Sequence, residues 1–547
     1  MTRVDAEKFR EMSVAEFFAR YREVAGFANP SRALYQTIRE LVENALDATD
    51  SHGILPDVKI YIDIVSSSDE KTVCRVSVED NGVGIPPSFL PEAFGRVLFS
   101  SKYVLKQARG MYGIGVKAVV LYSQVTTGAP FEVYSSTRAS SYVYMKKLQI
   151  DMRRNQPIVL EEGQWRKPGS WNGTLASALI ECDWPRARAR VLEYLRRTAI
   201  IAPYAEITLK TPEGYYIHFP RTTSKLPKQP VEVKPHPHGV DVETLKQMLL
   251  NTKAKTLLEF MVEEFQSVGE TSARRFLESL GLDPEASPRE LLEGETGVSL
   301  AVFVDALKSF KFRSPRSDAL SPLGESIIEI GLSRMYSPEW VDAISRPPRA
   351  YQGHPFVVEA GLAYGGSIPP SDTPILLRYA NKIPLIYEEK EDVAYKVVSE
   401  INWRNYGVET PAPLVVLVHI ASTKIPYKGV GKESISEVPE IESEIRSSLL
   451  ELARRLRAYI SAKAREAEAM KRILVLSKYI PEVSRSLAVI ASQQLTGSQS
   501  HDSTLEERIR EKLIKLVAGH VTLPKSLKTG KSVEEIVRSV VEGVRIE

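Results

Sequence analysis

The chain has 547 residues, more than one hydrophobic core usually organises, so we expect about two to four domains. With 43% hydrophobic and 26% charged residues it has the composition of a soluble globular protein, and no window reaches the roughly 18 apolar residues of a membrane span. Its 72 basic and 69 acidic side chains are too evenly balanced to indicate nucleic-acid binding by themselves. The first residues lack the apolar stretch of a secretory signal, which predicts a cytoplasmic protein.

The chain contains two cysteines, Cys74 and Cys182. They show no paired-thiol spacing and have no histidine cluster nearby, so the pattern indicates neither a disulfide framework nor a zinc site. We therefore predict two buried cysteines that act as small apolar residues.

Residues 32–50 place apolar positions at helical spacing and predict an amphipathic helix. Glu40 and Asn44 lie one turn apart on its polar face, which also carries Arg39, Glu43 and Asp47. A carboxylate there can deprotonate a water molecule, and the amide oxygen of Asn44 can coordinate Mg²⁺. In isolation such a pair is more often a solvated helix face.

Two strand-like runs, 58–65 and 72–80, follow and predict a hairpin. The second ends in Asp80-Asn81-Gly82-Val83-Gly84-Ile85. Glycines allow the backbone to approach a flat ligand, and Asp80 can accept a hydrogen bond from an exocyclic amine. A simple Asn-Gly turn is the alternative interpretation.

A glycine loop opens the next predicted helix, VKAVVLYS. The loop consists of Gly110, Met111, Tyr112, Gly113, Ile114, Gly115, Val116 and Lys117. Backbone N–H groups at such a helix start can hold phosphates, although the spacing is neither that of a Rossmann unit nor that of a Walker A loop.

The remaining pattern predicts strands at FEVYSS and SYVYMKKLQI and a helix at PRARARVLEYLRRTAII. A proline-rich stretch, 219–240, separates these elements from a nearly all-helical segment, 241–312. Strands resume at HPFVVEAGLAYGG, PILLRYANKIPLIY and APLVVLVHIAS. A long helix is then predicted from Glu437 to about Lys478, followed by a weaker helical tail.

The three polar motifs, together with Gly173-Thr174 further along, resemble the Bergerat ATP-binding fold of the GHKL superfamily. That resemblance implies that Glu40 is the general base and that Asn44 holds Mg²⁺. It implies that Asp80 binds the adenine amine, with Gly84 and Thr174 nearby, and that 110–117 surrounds the triphosphate. Ser101 and Lys102, in LFSSKY, are expected to line the same pocket.

Longer stretches, among them AFGRVLFSSKYVLKQARGMYGIGVKAVVLYSQ, LRYANKIPLIY and STKIPYKGVGKESI, resemble the B subunits of archaeal topoisomerase VI from about residue 10 to 490. This resemblance implies an α+β multidomain fold. Its expected parts are a Bergerat ATPase α/β sandwich with an N-terminal strap (1–230), a helix-two-turn-helix insert (231–312), a ribosomal-S5-like transducer with a long stalk helix (313–470), and the stalk end with a small C-terminal helical tail (471–547).

In that family, ATP and Mg²⁺ drive self-dimerisation around double-stranded DNA, which passes through a break made by a separate A subunit in an A₂B₂ heterotetramer. The resemblance therefore implies a nucleoid-associated DNA topoisomerase subunit that relaxes or decatenates DNA. It also implies that Lys432 reaches the γ-phosphate, with Lys424 and Lys428 as possible substitutes. In the helical insert, Arg274 and Arg275 are candidate phosphate contacts, although a structural spacer is equally expected.

Other functions remain open at this point. The chain could be a different GHKL ATPase, either a MutL-like repair switch or an Hsp90-like chaperone, or a non-catalytic DNA clamp. A histidine kinase is disfavoured because the ATP motifs lie near the amino terminus without a preceding phosphoacceptor helix. The sequence also shows neither a Toprim signature nor a candidate DNA-cleaving tyrosine, so we expect that this chain does not cut DNA alone.

Overall fold

The computed structural model describes residues 12–100, 104–110, 113–167, 169–429, 431–496, 502–520 and 532–543. These residues divide into two compact units: residues up to 401 together with 410–452, and residues 402–409 together with those from 453 on. In the ranges just given, no helix is both long and apolar enough to cross a membrane. The four-part division drawn from the sequence stays a prediction.

The first sheet has eight strands. They are β1 (Asp57–Ser67), β2 (Thr72–Asp80), β3 (Phe131–Ser136), β4 (Tyr142–Asp151), β5 (Gln156–Arg166), β6 (Gly173–Glu181), β7 (Glu206–Lys210) and β8 (Tyr216–Phe219). Their order is β5-β4-β3-β6-β2-β1-β7-β8, and every neighbouring pair is antiparallel except β1 and β7. The predicted hairpin of β1 and β2 is confirmed. Strands β5 to β8 had not been predicted individually, and β5 is an almost fully exposed edge strand without buried alternation.

Five helices accompany this sheet. They are α1 (Val14–Arg20), α2 (Pro30–Thr49), α3 (Leu90–Gly95), α4 (Gly115–Thr127) and α5 (Trp184–Ile201). Helix α2 starts where the sequence favours it, since the side chain of Asn29 caps the amide of Arg32 and Pro30 occupies the first turn. It packs against β2, α4 and α5, and most of its residues are buried.

The two cysteines correct a prediction from the sequence. Cys74 on β2 and Cys182 just after β6 are buried, as expected, but they form a disulfide with a Cα–Cα distance of 5.8 Å. The two residues are 108 positions apart, and only the antiparallel pairing of β2 with β6 brings them together. No spacing rule could have indicated this pairing.

The helical segment contains α6 (Val242–Asn251), α7 (Leu257–Glu264), α8 (Glu270–Ser279), α9 (Pro288–Glu293) and α10 (Leu300–Ser309). Side chains of Asp241, Thr256, Ser287 and Ser299 cap four of these short helices. The segment encloses a hydrophobic core of its own, which includes Phe260, Phe276 and Phe303. The prediction of a helical segment over 241–312 is therefore confirmed.

A second sheet follows, with β9 (Trp340–Ser345), β10 (Arg349–Tyr351), β11 (His354–Tyr364), β12 (Ile375–Ala380), β13 (Ile383–Pro384) and β14 (Leu414–Ser422). The order is β10-β11-β14-β12-β13, with β9 on β11, and β12 runs parallel to β14. Two helices, α11 (Glu325–Tyr336) and α12 (Val393–Glu400), belong to this part. Helix α11 packs on both α5 and β9, so one hydrophobic core extends from the first sheet into the second.

The last helices are α13 (Pro439–Thr496), α14 (Ser503–His520) and α15 (Val533–Val541). The predicted end of the long helix near residue 478 was wrong, because α13 continues through Pro481. Helices α14 and α15 contribute Ile514, Val517 and Ile536 to a small core with Ile473 and Ile480 of α13. This core involves the turns of α13 that precede Pro481.

Candidate nucleotide-binding site

A cavity lies where α2, the glycine loop and the segment before α13 meet. It is lined by Ala25, Gln36, Glu40, Asn44, Ser100, Gly110, Gly113, Ile114, Gly115, Val116, Lys117, Ala118, Gly431 and Lys432. Residues nearly 400 positions apart thus share one wall. Most of the predicted phosphate-binding residues lie together here.

Glu40 is held against the start of α4. Gln36, one turn earlier on α2, donates a hydrogen bond of 2.8 Å from Nε2 to Glu40 Oε1. A Cβ at Gly115 would lie 1.7 Å from Glu40 Oε2, so this carboxylate can occupy its position only because residue 115 is glycine. The glycine loop and the acidic residue are therefore fitted to each other.

The start of α4 offers backbone donors to the cavity. Ile114, the N-cap residue of this helix, makes no side-chain capping hydrogen bond, and the backbone N–H groups of a helix start favour anions. Lys117 is buried, and its Nζ donates to the carbonyl of Phe99 at 2.8 Å. The structure thus places Lys117 at the cavity wall with its ammonium group tied to the chain before residue 100.

Asp80, Gly84 and Thr174 do not line this cavity, and Asp80 and Thr174 contact each other. Asp80 Oδ1 accepts hydrogen bonds from the backbone N–H of Gly82 at 2.8 Å and of Thr174 at 3.2 Å. Burial raises the pKa of Asp80 to about 7. Gly173 has φ +135°, and a Cβ there would lie 2.0 Å from the carbonyl oxygen of Asp80, so the Gly-Thr pair allows the close approach of β6 to β2.

Lys432 reaches the cavity from beyond β14. Its Nζ donates to the carbonyl of Arg109 at 3.1 Å, directly before Gly110, and its side chain is largely buried. Lys424 and Lys428 are exposed and do not line the cavity, so the structure favours neither as a substitute.

Several ionic residues around the cavity were missed from the sequence. Arg109 binds Asp47 at 3.0 Å and Asp50 at 2.8 Å, and Lys382 from the second sheet lies 3.8 Å from Asp50. Although burial opposes it, the charges of Arg109 and Lys382 hold the pKa of the Asp50 carboxyl well below its usual range. The position of Arg109 next to the glycine loop was the one feature of the sequence that could have indicated these ion pairs.

The polar face of α2 differs from the solvated face that such a pattern usually indicates. Arg39 and Glu43 are almost completely buried and form an ion pair of 2.8 Å. Arg39 also donates to the carbonyl of Gly431 at 3.3 Å. This face therefore contacts other parts of the chain rather than water.

The remaining predicted residues fall elsewhere. Ser101, Lys102, Met111 and Tyr112 lie outside the described residues. Arg274 and Arg275 are exposed on α8, away from the cavity, and Arg274 lies 3.5 Å from Glu270. Their role as phosphate contacts stays a prediction.

Glu40 and Asn44 present oxygen donors of the kind that Mg²⁺ accepts. The described residues contain no group of three or more His, Cys, Asp or Glu suited to a metal ion. That pattern is compatible with Mg²⁺, which usually takes one or two protein ligands and completes its shell with water and phosphate oxygens. The donor set therefore fits a magnesium ion that arrives with a nucleotide.

Two separate stretches of the chain match models of known protein families. Residues 29–150 match the family model of histidine kinase-, DNA gyrase B- and HSP90-like ATPases, and residues 315–472 match that of the topoisomerase VI B subunit transducer. The fold and the site thus define a GHKL ATPase joined to a transducer. Among solved structures, the DNA gyrase B subunit of Myxococcus xanthus aligns with 81% of this chain and 95% of its own, at 12% identity and a TM-score of 0.40.

Curated relatives narrow the class to one family. The B subunit of type 2 DNA topoisomerase 6 from Saccharolobus shibatae is 51% identical over 94% of this chain and 96% of its own length. Its counterpart from Metallosphaera sedula is 51% identical over 96% of this chain and 98% of its own. The chain belongs to the family of type 2 DNA topoisomerase 6 B subunits.

Proposed function

We propose that this chain is the ATP-hydrolysing subunit of a type IIB DNA topoisomerase. The observation that carries the proposal is the cavity in which Glu40, Asn44, the glycine loop and Lys432 come together from both sheet-containing parts. The family assignment supports a topoisomerase over a MutL-like switch or an Hsp90-like chaperone.

In the proposed reaction, Glu40 orients a water molecule and takes up its proton, while Gln36 holds the carboxylate in place. The first turn of α4 donates backbone N–H groups to the triphosphate, and Asp80 accepts a hydrogen bond from the adenine amine. Asn44 would hold Mg²⁺, which supplies charge neutralisation when bound. Lys432 places a point charge near the γ-phosphate.

Nucleotide state can act on the second sheet through Lys432. A ligand shifts a conformational equilibrium only by its differential contacts with the two states. Because Lys432 follows β14 and precedes α13, gain or loss of a γ-phosphate contact would bias the position of both elements. We propose that ATP thereby closes two copies of the chain around a DNA duplex and that hydrolysis releases them.

A separate A subunit is the proposed site of strand cleavage, in an A₂B₂ assembly. Helix α13 carries an exposed apolar stripe at spacings of three and four residues, formed by Leu476, Tyr479, Val483, Leu487 and Ile490, which are 40–64% exposed. None of these five residues belongs to the core that α13 forms with α14 and α15. Exposed apolar stripes of this kind mark protein interfaces, and we assign this one to the A subunit.

The test uses the Glu40→Ala variant. We expect its ATP hydrolysis to fall by at least about 100-fold while dimerisation with a non-hydrolysable ATP analogue is retained, because a general base acts on chemistry and not on binding. The matched control is Glu278→Ala, which removes an exposed glutamate from α8. Hydrolysis by Glu40→Ala near the unmodified rate would refute the assignment of the base.

A second measurement separates the alternatives. Together with the A subunit, ATP and Mg²⁺, the unmodified chain should relax supercoiled plasmid, and the Glu40→Ala variant should not. A non-catalytic clamp would bind nucleotide without turnover. A MutL-like or Hsp90-like ATPase would hydrolyse ATP but leave the plasmid supercoiled.

A further inference from the structure

An ion pair joins the residue next to the proposed base, Glu40, to the residue next to Lys432, the lysine proposed to contact the γ-phosphate. Arg39 directly precedes Glu40 on α2, and Glu433 directly follows Lys432. Glu433 Oε1 lies 3.2 Å from Arg32 Nη2 and 3.8 Å from Arg39 Nη1. Arg39 Nη1 also donates to the carbonyl of Gly431 at 3.3 Å, so it contacts the chain on both sides of Lys432.

These charges are removed from water. The side chain of Arg39 is 1% exposed and that of Glu433 is 6% exposed. Burial raises the pKa of the Glu433 carboxyl, which shows that its environment opposes the charge. Its second oxygen, Oε2, is buried and has no hydrogen-bond partner among the described residues. A neutral side chain of the same shape would avoid this cost, so packing alone does not explain a carboxylate here.

The backbone at Lys432 also needs support. Lys432 has φ +54°, in the left-handed region that a lysine rarely adopts, and its N–H donates to the carbonyl of Gly429 at 3.3 Å. The carbonyl of Glu433 accepts from Arg378 Nη1 at 3.5 Å. On the C-terminal side of Lys432, Glu433 is thus held at its carbonyl by Arg378 and at its carboxylate by Arg32 and Arg39.

We propose that Glu433 is a positioning residue for ATP hydrolysis. Its carboxylate, held by Arg32 and Arg39, fixes the backbone of Lys432 so that the ammonium group stays at the wall shared with Glu40. The same ion pairs connect the helix of the base to the segment that leads into α13. This inference rests on the proposed role of Lys432, and it adds that the lysine depends on its neighbour for its position.

The experiment is a double-mutant cycle on steady-state ATP hydrolysis by the full chain, with Lys432→Ala, Glu433→Gln and the double variant. Glutamine keeps the shape of Glu433 and removes its charge. We expect Glu433→Gln to lower kcat by about tenfold with little change in KM, because a displaced catalytic group costs rate more than binding. In the Lys432→Ala background the same substitution should cause no further loss.

The outcomes separate this inference from the proposed function. Near-normal kcat in Lys432→Ala would overturn the role of the lysine itself and the inference with it. If Lys432→Ala reduced the rate and Glu433→Gln lowered it again by the same factor in the double variant, the inference alone would be overturned. An unchanged rate in the single variant Glu433→Gln would also overturn the inference alone.

Two further variants guard against a general loss of folding. Glu444→Gln removes another buried carboxylate, which pairs with Arg346 and Arg349, and it should leave kcat unchanged. Arg32→Ala removes the partly exposed partner of Glu433. Like Glu433→Gln, it should lower kcat in the otherwise unmodified chain, but it should cause no further loss in the Lys432→Ala background. A fall in Arg32→Ala that persists in that background would contradict the positioning role.

Discussion

The contact of Glu40 with Gly115 shows how single residues define this site. The carboxylate occupies space that a Cβ would fill at residue 115, so the glycine is required by its neighbour and not only by a phosphate. Gly115 also opens α4, so the position of the proposed base is tied to the start of the helix that we propose receives the triphosphate.

Gly115→Ala should therefore reduce catalysis by displacing Glu40. We expect kcat to fall by about 100-fold, because a shift of about 1 Å in a catalytic group has that order of effect. Gly519→Ala is the matched control, since Gly519 also lies in a helix and a Cβ there meets nothing within 4 Å. Equal rates in the two variants would contradict the steric argument.

Asp80 should make stability depend on pH. In an unfolded chain an aspartate has a pKa of about 3.9, whereas burial raises the pKa of Asp80 to about 7 in the folded chain. Between these two pKa values the folded state binds more protons than the unfolded state. The stabilisation contributed by Asp80 is therefore complete below the lower pKa and is lost as the pH rises through the higher one.

Urea unfolding of the unmodified chain and of Asp80→Asn across this pH range measures the effect. The free energy of unfolding of the unmodified chain should decline relative to that of the variant as pH rises to about 7 and then run parallel to it. Parallel curves throughout would show that Asp80 titrates normally.

Among the elements, α13 combines two roles along its length. Its first part carries buried leucines such as Leu449, Leu452 and Leu456, and its last part packs against α14 and α15. The exposed stripe from Leu476 to Ile490 is used by neither set of contacts. An apolar surface of this extent is the expected mark of a partner.

Tyr479→Asp should weaken the affinity for the A subunit at least about tenfold, because it places a charge in the middle of an apolar interface. Hydrolysis of ATP by the isolated chain should not change. Leu516→Asp is the control, since Leu516 is an equally exposed apolar residue on α14 that lies outside the stripe. Calorimetric titration with the A subunit measures the affinity of both variants. A similar loss of affinity in Leu516→Asp would argue against the stripe as the docking site.

On the scale of the larger compact unit, the first and second sheets share one hydrophobic core and one ionic network. Lys382 lies in a turn after β12, and its Nζ donates to Ser321 at 2.8 Å and lies 3.8 Å from the Asp50 carboxylate. Asp50 in turn binds Arg109 next to the glycine loop. Lys382, from the part of the chain that contains the second sheet, thus completes an ionic network next to the glycine loop.

Lys382→Met should lower the free energy of unfolding by about 1–3 kcal/mol, because Asp50 and Ser321 each lose a buried partner. Lys424→Met, at an exposed position, should have little effect. Chemical unfolding of both variants gives the comparison. If the two behaved alike, the buried lysine would not contribute to the stability of this unit.

The class of the site and much of the local structure could be predicted from the sequence. The order and spacing of Glu40, Asn44, Asp80 and the glycine loop indicated the class of site, and periodicity predicted α2, the β1–β2 hairpin and the helical segment. These features are local, since each depends on residues within a few turns or one strand pair.

Tertiary structure decided what depends on distant residues. The Cys74–Cys182 disulfide arises from the pairing of β2 with β6, and α13 continues through Pro481, where a proline by itself would favour the end of a helix. The ion pairs of Arg39 with Glu433 and of Lys382 with Asp50 join residues more than 300 positions apart. The sequence pattern determined which side chains could perform the chemistry, and the packing of the two sheets determined which of them meet, because long-range contacts leave no periodic trace in the chain.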